Sequence, residues 1–137
     1  KANTFVGGLI NANQYVENMN YPAWSATLTV YFTNSMIYYL NGSPTGPITS
    51  LTINNVPTNV GSYICHTFTF IIQTSVMTNY INAATITVNN TSGITLKGVA
   101  NIVGNLNAAS PTLIVQQITL FYISGTLSNT ITSAMAY

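Results

Sequence analysis

Hydrophobic and polar side chains alternate most regularly in the stretch Tyr63–Gln73. Thr67 and Thr69 fall on one face of this stretch, and the opposite face is apolar, at Ile64, Phe68, Phe70 and Ile72. A period of two residues, carried by aromatic and β-branched side chains, is typical of a strand with one buried face. We therefore predict a long central strand here, around which the rest of the chain is arranged.

Further strands are predicted where the same alternation recurs between turns rich in Gly, Pro and Asn. They cover residues 26–32, 36–40, 48–53, 84–89, 94–99, 112–124 and 130–137. Residues 90–93, Asn-Thr-Ser-Gly, separate two of these strands in the manner of a β-hairpin. The run at 112–124 is apolar at both alternating sets of positions, so we expect it to be buried on both faces. Residues 98–111 are mostly small and are predicted to form a loop.

About eight strands with turns at intervals of 8 to 12 residues are typical of an all-β domain. We predict an antiparallel β-sandwich or a jelly-roll-like fold over residues 23–137. Residues 1–22 alternate poorly and include Gly7-Gly8. We interpret this segment as an N-terminal arm or shaft-like stalk.

Charged residues make up 2% of the 137-residue chain, and the formal net charge is +1. Asn, Thr and Ser supply 50 residues, so the surface is expected to be polar but uncharged. Copies of such a chain repel each other little, which favours a homo-oligomer or a place in a larger assembly. Two lysines cannot form a basic patch for nucleic acid, and no apolar run reaches the length of a membrane span.

Few side chains in the sequence could act in catalysis or bind a metal ion. The chain has one glutamate (Glu17), one cysteine (Cys65), one histidine (His66) and no aspartate. A carboxylate pair or a Ser/His/Asp triad cannot be formed from these, and adjacent strand residues such as Cys65 and His66 point to opposite faces. We therefore predict that the protein is not an enzyme and uses no cofactor.

The simplest interpretation of Cys65 is a small buried hydrophobic residue, and a single cysteine cannot form an internal disulfide. For His66, the simplest interpretation is an imidazole held by a hydrogen bond in the core or at an interface. The alternative is a metal site in a trimer, in which three copies of His66 would meet on the threefold axis and bind a transition-metal ion.

Four aromatic side chains lie closest to predicted turns: Tyr21, Trp24, Tyr38 and Tyr39. Exposed aromatic rings can stack on the faces of sugars, which makes these residues candidates for glycan binding. The alternative is that the rings pack against neighbouring residues or another subunit.

Several segments occur in an order that resembles a known group of proteins. They are residues 53–57 (INNVP), the strand Tyr63–Gln73, residues 80–82 (YIN), the hairpin of 86–89 with 94–98, and residues 116–122 (QQITLFY). This order resembles the C-terminal β-domains of fibre and tail-fibre structural proteins in tailed phages and large algal DNA viruses. The resemblance covers residues 26–137, and residues 3–9 (NTFVGGL) are similar to the short shaft repeats of such fibres.

The resemblance implies a virion component, commonly a homotrimer, displayed at the particle surface and joined to other virion proteins. It brings no catalytic residues. Our leading hypothesis is a structural protein of a fibre, tail or capsid, with a role in attachment to host surface glycans. The alternative is a subunit of an extracellular cellular filament, in which the N-terminal segment is donated as a strand to a neighbour.

Overall fold

The computed structural model describes residues 18–40, 45–58, 63–105 and 113–137, with the backbone alone for 103–105. Strands dominate this part of the chain, so the protein is all-β as predicted. One sheet contains, in spatial order, β1 (Met19–Asn20), β3 (Ile37–Leu40), β5 (Tyr63–Gln73), β8 (Leu113–Ile123) and β9 (Thr126–Ala136). The other contains β2 (Thr27–Tyr31), β4 (Ser50–Asn54), β6 (Thr85–Val88) and β7 (Thr91–Thr95).

Both sheets are mixed, which corrects the prediction of antiparallel strands. The pairs β1–β3, β3–β5, β2–β4 and β4–β6 are parallel, whereas β5–β8, β8–β9 and β6–β7 are antiparallel. The cause is the path of the chain, which alternates between the two sheets from β1 to β6. A chain that crosses to the other sheet and returns runs in its original direction again, so neighbouring strands become parallel.

The longest pairing joins β5 to β8 in continuous register, from Tyr63 opposite Ile123 to Gln73 opposite Leu113. Even-numbered positions of both strands are buried from His66 onwards in β5 and throughout β8. They belong to one hydrophobic cluster that includes residues of both sheets, among them Phe68, Phe70, Ile118, Leu120, Leu28, Val30, Ile53 and Ile86. Each fully buried side chain of this size contributes about 1.5–3 kcal/mol.

The opposite face of β8 is not buried, which corrects the expectation that this strand is covered on both sides. Phe121 and Ile123 are exposed, and Leu113, Val115 and Thr119 are half-buried. Nothing in the alternation distinguishes an apolar side chain that packs inside a domain from one left on its surface.

Turn positions also differ from those expected. Asn89 and Asn90 form the turn between β6 and β7 with φ of 47° and 69°, the left-handed conformations of a two-residue hairpin loop. Gly93, expected in the turn, lies within β7. The second tight turn is at Ser124 and Gly125, so β9 begins earlier than predicted.

A short helix, α1 (Val99–Asn105), replaces the first part of the predicted loop at residues 98–111. Val99 packs against the core and Ile102 is fully buried, so the helix places two apolar side chains three residues apart on its inner side. The helix packs beside β9. Residues 106–111 of the predicted loop lie outside the described residues.

Most of the predicted arm, residues 1–17, also lies outside the described residues. Met19 and Asn20 form β1, which pairs with Ile37 and Tyr38 of β3. The last residues of the predicted arm therefore belong to the five-stranded sheet, and the domain boundary at residue 22 stays a prediction.

Gln116 is a polar side chain in the middle of the core, with no exposed surface. Its amide nitrogen donates to the carbonyl oxygen of Ile81 and to the hydroxyl of Thr132, at 3.0 Å each, and its Oε1 accepts from the Ile81 N–H at 2.8 Å. Ile81 lies in the connection between β5 and β6 and forms an isolated parallel bridge with Ile48. Gln116 thus satisfies both backbone groups of a residue that passes through the core.

We expect Gln116→Leu to lower the free energy of unfolding by about 2–4 kcal/mol, because it leaves two buried backbone groups of Ile81 without partners. Gln117→Leu is the matched control, since the neighbouring side chain is exposed. Urea denaturation of both variants measures the difference. Equal stability of the two would contradict the role given to Gln116.

Gly98 combines a φ of +96° with close packing, because a Cβ built there would lie 2.5 Å from the carbonyl oxygen of Thr132. Gly98→Ala should therefore destabilise by about 2 kcal/mol or more. Gly93→Ala isolates the backbone contribution, since Gly93 has a φ of +74° and open space around it. Thermal melting should show a clearly larger loss for Gly98→Ala than for Gly93→Ala.

Candidate functional site

Two of the four predicted glycan-binding aromatics form a surface pair at the β1 and β3 side of the five-stranded sheet. The rings of Tyr21 and Tyr39 are 5.8 Å apart at an angle of 59°. Tyr21 is exposed, and the Tyr39 hydroxyl donates to Oε1 of Gln73 at 2.9 Å. Glycan contact at this pair stays a prediction.

The other two aromatics are not part of that pair. Tyr38 is 2% exposed and its ring stacks on Phe70 at 5.5 Å, so it is a core residue and not the surface ring that the prediction required. Its hydroxyl donates to the carbonyl oxygen of Tyr31 at 2.6 Å and accepts from the Tyr31 N–H at 3.1 Å. Trp24 is half-buried against the core.

His66 is buried on the core side of β5, between the edges of two aromatic rings. The ring centroids of Phe32 and Tyr122 lie 5.0 and 5.9 Å from that of the imidazole. Its Nε2 lies 3.3 Å from the carbonyl oxygen of Pro57. This arrangement is that of an imidazole packed within one subunit, and it places His66 on the side of the sheet opposite to the exposed apolar residues.

Cys65 is exposed, which corrects its interpretation as a buried hydrophobic residue. It lies on the opposite face of β5 from His66, as the alternation requires. Among the described residues, no group of three or more His, Cys, Asp or Glu side chains could hold a metal ion. Nor does any helix in the described part have the length and apolar character to cross a membrane.

The most distinctive surface is the side of the five-stranded sheet that faces away from the core, here called the outer face. It is defined by the odd-numbered residues of β5 and β8 and by Ile131, Ser133 and Met135 of β9. Large apolar side chains are exposed on it, at Tyr63, Phe121, Ile123, Ile131 and Met135. The exposed fraction of Tyr63 is 82%. Side chains this large are usually covered when they cluster on a soluble domain.

Strand register brings the apolar residues of the outer face together. Tyr63 pairs with Ile123, and Cys65 pairs with Phe121. With Ile131 of β9, these residues line a shallow groove of about 510 Å³. Beside it, the hydroxyls of Thr67 and Thr119 lie 3.0 Å apart across the β5–β8 pair. Sequence reasoning missed this face, although the apolar residues at odd positions of β8 were its signal.

The outer face carries no lysine, arginine or acidic side chain. Lys97 is the one such residue in the part of the chain that the structure describes, and it lies in the connection from β7 to α1. The candidate functional site is therefore an apolar and hydroxyl-bearing sheet surface, suited to contact with another protein surface of similar character. The thiol of Cys65 lies on this face, whereas His66 lies on the opposite face of β5.

Comparisons with protein-family models, with curated proteins and with solved structures found no match.

Burial also affects three tyrosines on the core side of the fold. Desolvation raises the pKa of Tyr38, Tyr80 and Tyr122 above the usual value near 10, and in Tyr38 the hydrogen bond to the Tyr31 backbone opposes this effect in part. A raised pKa in the folded state means that the unfolded chain loses these protons first. The free energy of unfolding is then undiminished below about pH 10 and falls as the pH rises above it.

We expect Tyr80→Phe to reduce that alkaline loss of stability, by at most about 1.4 kcal/mol per pH unit. Near neutral pH the variant should match the wild type, because the Tyr80 hydroxyl has no hydrogen-bond partner in the described part of the chain. Urea denaturation at neutral pH and at several values above pH 10 measures both quantities. An unchanged slope with pH would contradict the assignment to Tyr80.

Proposed function

We propose that this chain is a structural domain of a virion, belonging to a fibre, a tail or the capsid surface, whose copies assemble through the outer face. The observation that carries the proposal is the cluster of exposed apolar side chains at Tyr63, Phe121, Ile123 and Ile131 on a sheet without charged groups. The resemblance of residues 26–137 to fibre and tail-fibre β-domains supports the viral setting. Attachment to a host surface is part of the proposal.

The outer face is large enough for a specific contact. Strands β5, β8 and β9 have eleven residues each. At about 3.3 Å per residue they are about 36 Å long, and three strands about 4.8 Å apart cover about 500 Å². Two such faces bury about 1,000 Å², which reaches the size of biological interfaces before β1 and β3 are counted.

Charge also favours a second copy as the partner. When copies meet around a symmetry axis, equivalent groups near the axis lie close to each other, so any lysine or carboxylate there would repel its equivalents. The outer face has none, and its hydroxyls, such as the Thr67 and Thr119 pair, can both donate and accept hydrogen bonds. An uncharged face of this kind can pack against other copies of itself without charge repulsion.

The arrangement of the sheets and the oligomeric state are part of this proposal. We infer that the two sheets form the layers of a β-sandwich, which the hydrophobic cluster drawn from both sheets supports. We propose a homotrimer in which three outer faces surround the threefold axis. His66 would then point away from the axis, so this assembly does not support the threefold metal site.

The second candidate is a filament subunit assembled by strand donation. Strand β7 favours it, because β7 is an edge strand with mostly exposed residues and pairs with β6 alone among the described strands. Edge strands of this kind accept an added strand from another chain. The donor would be the N-terminal segment of a neighbouring copy.

Native mass measured by light scattering on a sizing column tests the assembly. We expect three times the chain mass of 14.7 kDa for the wild type. Phe121→Lys should weaken association by about 100-fold or more, because it buries an unpaired charge at the contact. Val76→Lys is the matched control, since Val76 is an exposed apolar residue in the connection after β5, outside the outer face.

Cys65 provides a second measurement, because it is exposed on the outer face of the subunit. Its reaction with a maleimide should be slow in the oligomer and fast in the Phe121→Lys variant. A monomeric wild type, or equal masses for Phe121→Lys and Val76→Lys, would contradict the proposal. An open-ended polymer that is lost on deletion of residues 1–17 would favour the filament.

A further inference from the structure

A second concave site lies between the edge strand β7 and the first half of β9, next to the groove of the outer face, with which it shares Tyr122, Ser128 and Asn129. This groove has a volume of about 420 Å³, within the usual range for sites that bind small molecules. We call it the Lys97 groove and define it by Ile94, Thr95, Lys97, Tyr122, Leu127 and Asn129. Its lining combines hydroxyl and amide groups with a few apolar side chains.

The backbone around Lys97 holds the groove in shape. The Lys97 N–H donates to the carbonyl oxygen of Thr130 at 3.1 Å, and the Lys97 carbonyl accepts from the Thr132 N–H at 2.8 Å. The Thr130 hydroxyl donates to the carbonyl oxygen of Thr95. Gly98 permits this close approach, since any side chain there would meet Thr132. Lys97 is therefore anchored to β9 through its backbone, and the Thr130 side chain joins β9 to Thr95 of β7.

A second close contact shapes another part of the groove. Gly125, in the turn before β9, has a φ of +77°, and a Cβ built there would lie 2.9 Å from the carbonyl oxygen of Thr58. Both Gly125 and Thr58 line the groove. Glycine is thus required at two positions around the groove for the backbone to pack as it does.

The side chain of Tyr122 lines the groove with an unused polar group. The residue is 4% exposed, and its hydroxyl forms no hydrogen bond with any residue that the structure describes. Desolvation raises the pKa of Tyr122, so the hydroxyl stays protonated and able to donate. Although the residue as a whole is buried, its hydroxyl is open to the groove, so water or a ligand can supply its hydrogen-bond partner.

Lys97 adds the positive charge. Its side chain is exposed at the groove, and the described residues contain no acidic side chain to pair with it. One cation beside several neutral hydroxyl and amide groups matches a ligand with one negative group and many hydroxyls. Phosphate-rich ligands usually require several cationic or N–H donors together, which this groove does not provide.

We propose that the Lys97 groove binds a carboxylated saccharide. The carboxylate contacts the Lys97 ammonium, and sugar hydroxyls contact Thr95, Asn129 and the Tyr122 hydroxyl. The apolar face of a sugar ring rests against Ile94 and Leu127. This proposal names the chemical class of the host-surface ligand, and in that respect it rests on the proposed function. It does not depend on assembly through the outer face.

Titration with a glucuronic acid disaccharide and with its neutral glucose counterpart, followed by NMR, tests the proposal. We expect the acidic sugar to bind about tenfold more tightly and to shift the signals of groove residues. Lys97→Met should remove this preference and Lys97→Arg should retain it. The preference should also decrease as salt is added, because Lys97 is exposed.

Tyr122→Phe should weaken binding of both sugars about fivefold while the melting temperature stays unchanged. Tyr80→Phe is the matched control, because Tyr80 is equally buried and does not line the groove. Equal affinity of the wild type for both sugars, or the same affinities in Tyr122→Phe and Tyr80→Phe, would overturn the proposal. Native mass distinguishes a failure of saccharide binding from a failure of the proposed assembly, since groove variants should leave the oligomer intact.

Discussion

The continuous pairing of β5 with β8 is the interaction on which the rest of this structure depends. It joins eleven residues of each strand without a bulge, so every even-numbered position of β8 points towards the core and every odd-numbered one away from it. The same register that brings Phe68 opposite Ile118 in the core also brings Cys65 opposite Phe121 on the surface. Core and outer face are therefore two consequences of one pairing.

The path of the chain between the sheets imposes a second set of constraints. Because successive strands alternate between the sheets, connections must pass close to the core, where backbone groups need partners. Gln116 supplies them for Ile81, and the side chain of Asn89 pairs with both backbone groups of Val56, at 2.7 and 3.0 Å. Gly98 allows the chain to pass beside Thr132. These few polar and glycine residues make the crossings possible.

The low charge of the chain links the fold to the two proposed roles. With Lys97 as the single lysine, arginine or acidic residue in the described part, solubility and recognition depend on hydroxyl, amide and aromatic groups. The groove of the outer face and the Lys97 groove both involve β9, and Ser128 and Asn129 line both of them. Assembly and ligand binding are thus proposed for neighbouring surfaces of one subunit.

Strand alternation is a local property of neighbouring residues, so it was enough to predict the all-β class, the bounds of β5 and the opposite placement of Cys65 and His66. It could not determine which strands pair or in which direction, since crossing between sheets depends on contacts distant in the chain. For the same reason the burial of Tyr38, the exposure of Phe121 and the position of Lys97 beside Tyr122 were decided by the tertiary structure. The alternation in the sequence is the same whether an apolar side chain is buried against a neighbouring sheet or exposed to solvent.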